Sequence, residues 1–228
     1  MDSDLQAYLQ ATVYLDYDNQ EVVDFAARVC AGGGSPTEKA IKLYYAVRDE
    51  IRYDPYDVTF TDAGMQASST IRKRSGFCIT KAVVLAALGR QQGIPTRLGF
   101  ADVQNHLSTA RLRARMGSDI FRYHGYTEFF LNQRWVKATP AFNLALCQRF
   151  HVKPLEFNGL EDSIFHEFNT LGQMHMQYVR DHGVYADLPF TEILATFRQY
   201  YPAMFTETTS SGADDFDTEA AAEQLPPR

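Results

Sequence analysis

A chain of 228 residues that is 45% hydrophobic can bury one sizeable core, and it contains no apolar run of about 18 residues that could cross a bilayer. Its formal charge of −6 gathers at the C-terminus: after Phe205, Glu207, Asp214, Asp215, Asp217, Glu219 and Glu223 face Arg228 alone, so the body is nearly neutral and lacks the basic footprint of a nucleic-acid binder. Cys30, Cys78 and Cys147 are too few for a disulfide framework, and Met1-Asp2-Ser3-Asp4 lacks the basic and apolar regions of a signal peptide; free thiols in the cytoplasm are expected.

The expected organisation is a single domain over 1–204 and a disordered acidic tail over 205–228, rich in Thr, Ser, Ala, Asp and Pro. Residues 5–17 mix apolar and polar positions and suggest a short strand. Asp18 with Glu21 forms a capping-box pattern for a helix stopped by Gly32-Gly33-Gly34, with Cys30 as a small buried hydrophobe in its last turn. Ser35-Pro36-Thr37-Glu38 is a stronger start, followed at helical spacing by Ala40, Ile41, Tyr44, Val47 and Ile51. Residues 55–70 have no sustained period and suggest a surface loop, and Arg72-Lys73-Arg74 a solvated face.

Ser75-Gly76-Phe77-Cys78 then runs into an apolar stretch, Ile79 to Leu88, that is hydrophobic around most of a helical circumference and so belongs to a buried helix. A thiol at its N-terminus meets unpaired N–H groups and the positive dipole end, a setting that lowers cysteine pKa values. Gly93 and Pro95 stop the helix, and Thr96 to Phe100 reads as a strand. Segment 101–119, with His106, Arg111, Arg113 and Arg115, is expected to be irregular: a lid or anion-binding loop, or a solvated face.

Residues 121–131 and 134–138 are dense in β-formers around Asn132-Gln133, a hairpin signal. With a two-residue turn, Leu131 opposes Arg134 and Tyr126 opposes Thr139; His124 shares Tyr126's face and is a diagonal neighbour of Thr139. Glu128 lies on the same face, further along. A cysteine, a histidine and a polar orienter are the parts of nucleophilic catalysis. Further on, 141–153 suits a short helix with Cys147 packed, and 189–201 a helix with Phe190, Ile193, Leu194, Phe197 and Tyr200 on one face. Residues 154–188 hold His166, His175 and His182 without metal-ligand spacing, so neither metal nor cofactor is expected.

Gly76-Phe77-Cys78, Gly93-Ile94-Pro95-Thr96-Arg97, His124-Gly125-Tyr126-Thr127-Glu128 and Trp135-Val136-Lys137-Ala138-Thr139-Pro140, in that order, resemble the motifs of the transglutaminase-like superfamily of bacterial type: G-x-C at a helix start, G-I-P-x-R after it, H-x-W/Y-x-E and W-x-x-x-D. The resemblance covers roughly 35–145 and leaves 146–204 as C-terminal decoration. It implies an α+β fold, a papain-like/transglutaminase core whose central Cys-bearing helix packs on an antiparallel sheet. Cys78 would be the nucleophile and His124 the general base. Thr139 departs from the pattern, standing where the family has Asp: its hydroxyl can accept from an imidazole and fix the tautomer but brings no charge. Asn143, Glu128 or Glu161-Asp162 could substitute, and Thr139 is the candidate on which position and register agree. The expectation is acyl transfer from an amide, peptide or isopeptide bond, with hydrolysis favoured over transamidation and a peptide, protein or small amide as partner, not nucleic acid or membrane. The alternative is an inactive peptide-binding module of the same fold.

Overall fold

The computed structural model describes residues 3–206 apart from Leu107 and His166, together with Phe216 and Glu219. The disorder expected of 205–228 therefore falls mostly outside the described residues. A 3-10 helix (Ser3–Leu9) stands where a strand was expected. Side chains, not a ladder, hold this region: Tyr8 packs edge-on against Trp135 at 5.1 Å, and Arg90 Nη1 donates to the Gln10 carbonyl at 2.6 Å.

Helix α1 (Gln20–Val29) starts after Asn19 rather than Asp18, because the Asn19 Oδ1 accepts the Glu21 N–H. α2 (Pro36–Glu50) has the full capping box: Ser35 Oγ accepts the Glu38 N–H at 3.3 Å and the Glu38 carboxylate accepts the Ser35 N–H at 2.8 Å. After β1 (Arg52–Tyr53), the segment expected to be a loop folds into α3 (Asp62–Met65) and α4 (Ala67–Lys73). Thr61 caps the first, and the second buries Ala67, Ser68, Thr70 and Ile71, a small and half-polar face with no hydrophobic period to announce it.

β2 (Ser75–Gly76) leads into α5 (Cys78–Gln91), in which every residue from Cys78 to Arg90 is buried. β3 (Thr96–Asn105) is twice as long as expected, and together with α6 (Ala110–Met116), capped by Thr109, it takes up most of the supposed irregular segment. β4 (Ile120–Leu131) and β5 (Arg134–Ala138) form the expected hairpin, with Leu131 opposite Arg134 and Thr127 opposite Ala138. Asn132 and Gln133 have φ of 49° and 64°, the two left-handed residues that such a turn needs. α7 (Leu144–Arg149), β6 (Met176–Tyr185), α8 (Phe190–Tyr200) and α9 (Ala203–Thr206) complete the chain.

The antiparallel sheet runs β5-β4-β3-β6, and α5 lies on one face of it. Thr127 Oγ1 donates to the Ala82 carbonyl and Thr96 Oγ1 to that of Ala86, both at 2.8 Å, so Gly125, Thr127 and Phe129 look toward the helix. Helices α1, α2 and α4 pack on the other side of α5. This is an α+β fold with the cysteine-bearing helix at its centre. No helix among the described residues is long and apolar enough to cross a membrane.

Candidate active site

Three local features set Cys78 at the head of α5. β1 and β2 pair in parallel, with Tyr53 beside Gly76, which ties the end of α2 to the turn. A Cβ at Gly76 would meet Thr80 Oγ1 at 2.5 Å and Thr70 Cγ2 at 2.9 Å, so only glycine fits. Thr80 Oγ1 accepts the Phe77 N–H at 3.1 Å, closing the first turn. One turn along, the wholly buried Lys81 donates from Nζ to the carbonyls of Arg48 and Ile51, at 2.9 and 2.6 Å, and so clamps α2 to the helix that carries the thiol.

β4 crosses that first turn. Gly125 lies flush on Ile79, and its N–H, with those of Ile79 and Cys78 itself, faces the sulfur and lowers the thiol pKa. Burial outweighs them and pushes the Cys78 thiol up to about 11, the reverse of what a helix N-terminus alone would do. His124, 3% exposed, packs its ring tilted against that of Phe165, centroids 4.9 Å apart, and is pushed down to about 3 by burial and then by His175. Burial thus favours the neutral form of each group, thiol and imidazole.

The residue before this histidine is strained: Tyr123 has a φ of 52°, beside the bulge where β3 and β4 lose register between Ala101 and Val103. The wholly buried Asp102 props this bend by accepting from the Tyr123 N–H at 3.1 Å and Arg122 Nη1 at 3.0 Å, and it meets His182 Nε2 at 2.6 Å. Nothing in sequence spacing assigned Asp102 or His182 to this bend. His175 was visible only as one of several histidines, because its position against His124 depends on how the segment before β6 folds back.

Thr139 follows β5 and is held through its main chain. Its N–H donates to the Ser163 carbonyl at 3.1 Å, and its carbonyl accepts the Tyr44 hydroxyl at 3.2 Å. Its Oγ1 is buried without a hydrogen-bond partner, and so is His124 Nε2; the bond expected between them is not formed. The other candidates for third member are engaged elsewhere. Glu128 pairs with Arg97 at 2.6 Å, Asn143 Oδ1 accepts the Tyr53 N–H, Asp162 accepts the Lys137 N–H, and Glu161 is exposed.

Cys78 lines a narrow cavity of about 40 Å³ walled by Tyr53, Leu112, Met116, Phe121, Phe197 and Tyr201, so α6 and α8 supply one side of the site. Tyr201 is fixed there by accepting the Arg122 N–H and donating to the Ile120 carbonyl. A wider cavity of about 570 Å³ lies between α1, α2 and α4 among the ion pairs Arg28–Glu50 and Arg72–Glu21, and it holds no nucleophile. Among the described residues no cluster of three or more His, Cys, Asp or Glu could hold a metal ion. Cys30 and Cys147 are buried free thiols.

No curated protein matches the chain. A solved structure described as a "putative cysteine protease" from Cytophaga hutchinsonii is 15% identical with a TM-score of 0.49, covering 81% of this chain and 55% of its own. A second, described as a "putative protease" from Parabacteroides distasonis, is 16% identical with a TM-score of 0.39, covering 64% of this chain and 28% of its own. The chain thus spans about half, or less, of the length of these structures. The sequence model of the transglutaminase-like superfamily core matches residues 23–140, just over half of the chain. The chain belongs to the transglutaminase-like superfamily.

Proposed function

We propose that the protein is a cysteine enzyme that attacks an amide, peptide or isopeptide carbonyl through Cys78, with His124 as base. The observation that carries this is the crossing of His124-Gly125 over the first turn of α5, with a main-chain N–H aimed at a thiol that opens on a cavity. In the reaction, Sγ would bond to the carbonyl carbon while its proton passes to His124. The C–N bond would then break as the imidazolium protonates the leaving amine, giving a thioester that water opens. The Cys78 N–H, at a helix start, suits one arm of an oxyanion hole. Because burial favours the neutral form of both groups, proton transfer would accompany attack rather than precede it. Hydrolysis is the preferred outcome: among the described residues the lining of the Cys78 cavity is apolar but for Arg122 and offers no carboxylate to hold a second amine. A cytoplasmic peptide, protein or small amide is the partner in this reading.

A second reading, an inactive peptide-binding module, is favoured by one observation: His124 Nε2 and Thr139 Oγ1 stand buried and unbonded. Trapping separates the two. After incubation with a peptide library bearing electrophilic carbonyls, mass spectrometry should find adducts on Cys78 that fall at least a hundredfold in His124→Ala. Adducts at Cys78 that do not depend on His124, or none at all, would leave the binding module as the better account.

A further inference from the structure

Phe216, from the acidic C-terminal stretch, is 3% exposed. Its ring meets those of Tyr53 and Tyr56, each at 5.8 Å, and that of Phe150 at 6.2 Å. Three residues on, Glu219 accepts the Tyr56 hydroxyl at 2.9 Å. The guanidinium carbons of Arg111 and Arg115 lie 5.0 and 5.4 Å from the Tyr56 ring centroid, so this seat borders α6, which carries three arginines and no acid. Phe216 also forms one wall of a small void of about 10 Å³ that Phe142 and His175 line with it. Tyr53, Leu112 and Phe121 line both this cavity and the one that holds Cys78. Phe216 and Glu219 thus set an aromatic ring and a carboxylate into a ring-lined seat, the ring against Tyr53, Tyr56 and Phe150 and the carboxylate on Tyr56 beside the arginines of α6, and this seat adjoins the cavity of the nucleophile through Tyr53, Leu112 and Phe121. Recognition of peptides uses this chemistry: a buried aromatic anchor beside a charge-assisted rim.

We propose that this seat is a subsite for peptides that carry an aromatic residue followed three positions on by a carboxylate, and that Phe216 and Glu219 occupy it in cis and restrain Cys78. The restraint rests on the reading of Cys78 as a nucleophile; the subsite does not. Tethering gives the tail an effective concentration on the order of millimolar, so a free peptide competes poorly with it.

The test uses the full chain in a Cys78→Ala background, alone and with Phe216→Ala or Glu219→Gln, and a fluorescein-labelled peptide of residues 212–223. Fluorescence polarisation should show the peptide bound at least tenfold tighter by the Phe216→Ala chain than by the parent, and about threefold tighter by Glu219→Gln, which exposes no apolar surface. Replacing the peptide's own phenylalanine with alanine should cost at least tenfold. Equal binding by all three chains, or indifference to the peptide's phenylalanine, would overturn the subsite. With Cys78 restored and Cys30 and Cys147 changed to Ser, iodoacetamide should alkylate the Phe216→Ala chain at least fivefold faster than the parent. An unchanged rate would overturn the restraint. If no chain hydrolyses amides while the binding pattern holds, the enzyme reading falls and the subsite stands.

Discussion

Gly125 rests so closely on the first turn of α5 that a Cβ on it would stand 3.0 Å from the Cα of Ile79 and 3.3 Å from the Cys78 carbonyl. Both neighbours are main chain and cannot swing aside. Gly125→Ala should push β4 off the helix at the point where its N–H faces the sulfur. The expected cost is about 1–3 kcal/mol, as for other overpacked interiors, and the change in position should reach His124. Urea unfolding should report the loss of stability, and the Cys78 alkylation rate should change with it. A variant as stable as the parent would show that strand and helix are not in contact there.

Among the described residues Lys81 is the only ionisable amine or guanidinium in the group of largest fully buried side chains, and its Nζ bonds satisfy two carbonyls at the end of α2. Lys81→Met fills the same space and leaves both acceptors bare. Unsatisfied buried acceptors cost about 1–3 kcal/mol each, less the relief of removing a buried ammonium, for a net loss on the order of 2 kcal/mol. Burial brings Lys81 down to about 7 in the fold, against 10.5 unfolded. Between those values the unfolded chain holds a proton that the folded chain lacks, so stability rises with pH across this window. The gap between parent and variant should therefore widen by roughly 3 kcal/mol from pH 7 to 9.5. A constant gap would mean that Lys81 stays charged throughout.

His124 gives the opposite end of the pH scale. Its imidazole is neutral in the fold down to about 3, while the unfolded chain takes up a proton near 6.5. Its contribution to stability is whole above 6.5 and lost as pH falls toward 3, by about 3 kcal/mol at pH 4. Replacing it by phenylalanine, which keeps the bulk against Phe165, should remove that part of the acid sensitivity. Urea midpoints at pH 7 and pH 4 check this; parallel losses in parent and His124→Phe would show that the ring is hydrated and titrates normally.

The features legible in the sequence were those with local causes. Ser35, Pro36 and Glu38 announce α2, an apolar run announces α5, and Asn132-Gln133 between β-formers gives the hairpin with its register. Cys78 and His124-Gly125 could be brought together from those elements. What escaped depends on partners distant in the chain. β6 is an edge strand that buries Met176 and leaves most of its length exposed, so it has no alternation to read. α4 buries serine and threonine, which no hydrophobic pattern reports. The acidity of Cys78 was read from its helix dipole, a local effect, whereas its value is set by burial under side chains from α6, α8 and the 53–55 segment.

Thr139 is the place where a single change can restore the charge that the family pattern carries. Its Oγ1 and His124 Nε2 are both buried and both lack partners, and its main chain is pinned by Ser163 and Tyr44, so a new side chain cannot retreat far. In Thr139→Asp a carboxylate next to His124 favours the imidazolium, and the imidazolium in turn favours the Cys78 thiolate. The alkylation profile of Cys78 should shift at least one pH unit toward acid, and His124 should titrate well above 3. Burying the carboxylate costs about 1–3 kcal/mol of stability at pH 8, since one partner cannot satisfy both its oxygens. Thr139→Val removes the hydroxyl without adding charge and should leave the alkylation profile where it is. If Thr139→Asp leaves both titrations unmoved while the protein stays folded, the His124 ring is turned away from Thr139, and the third member must come from elsewhere.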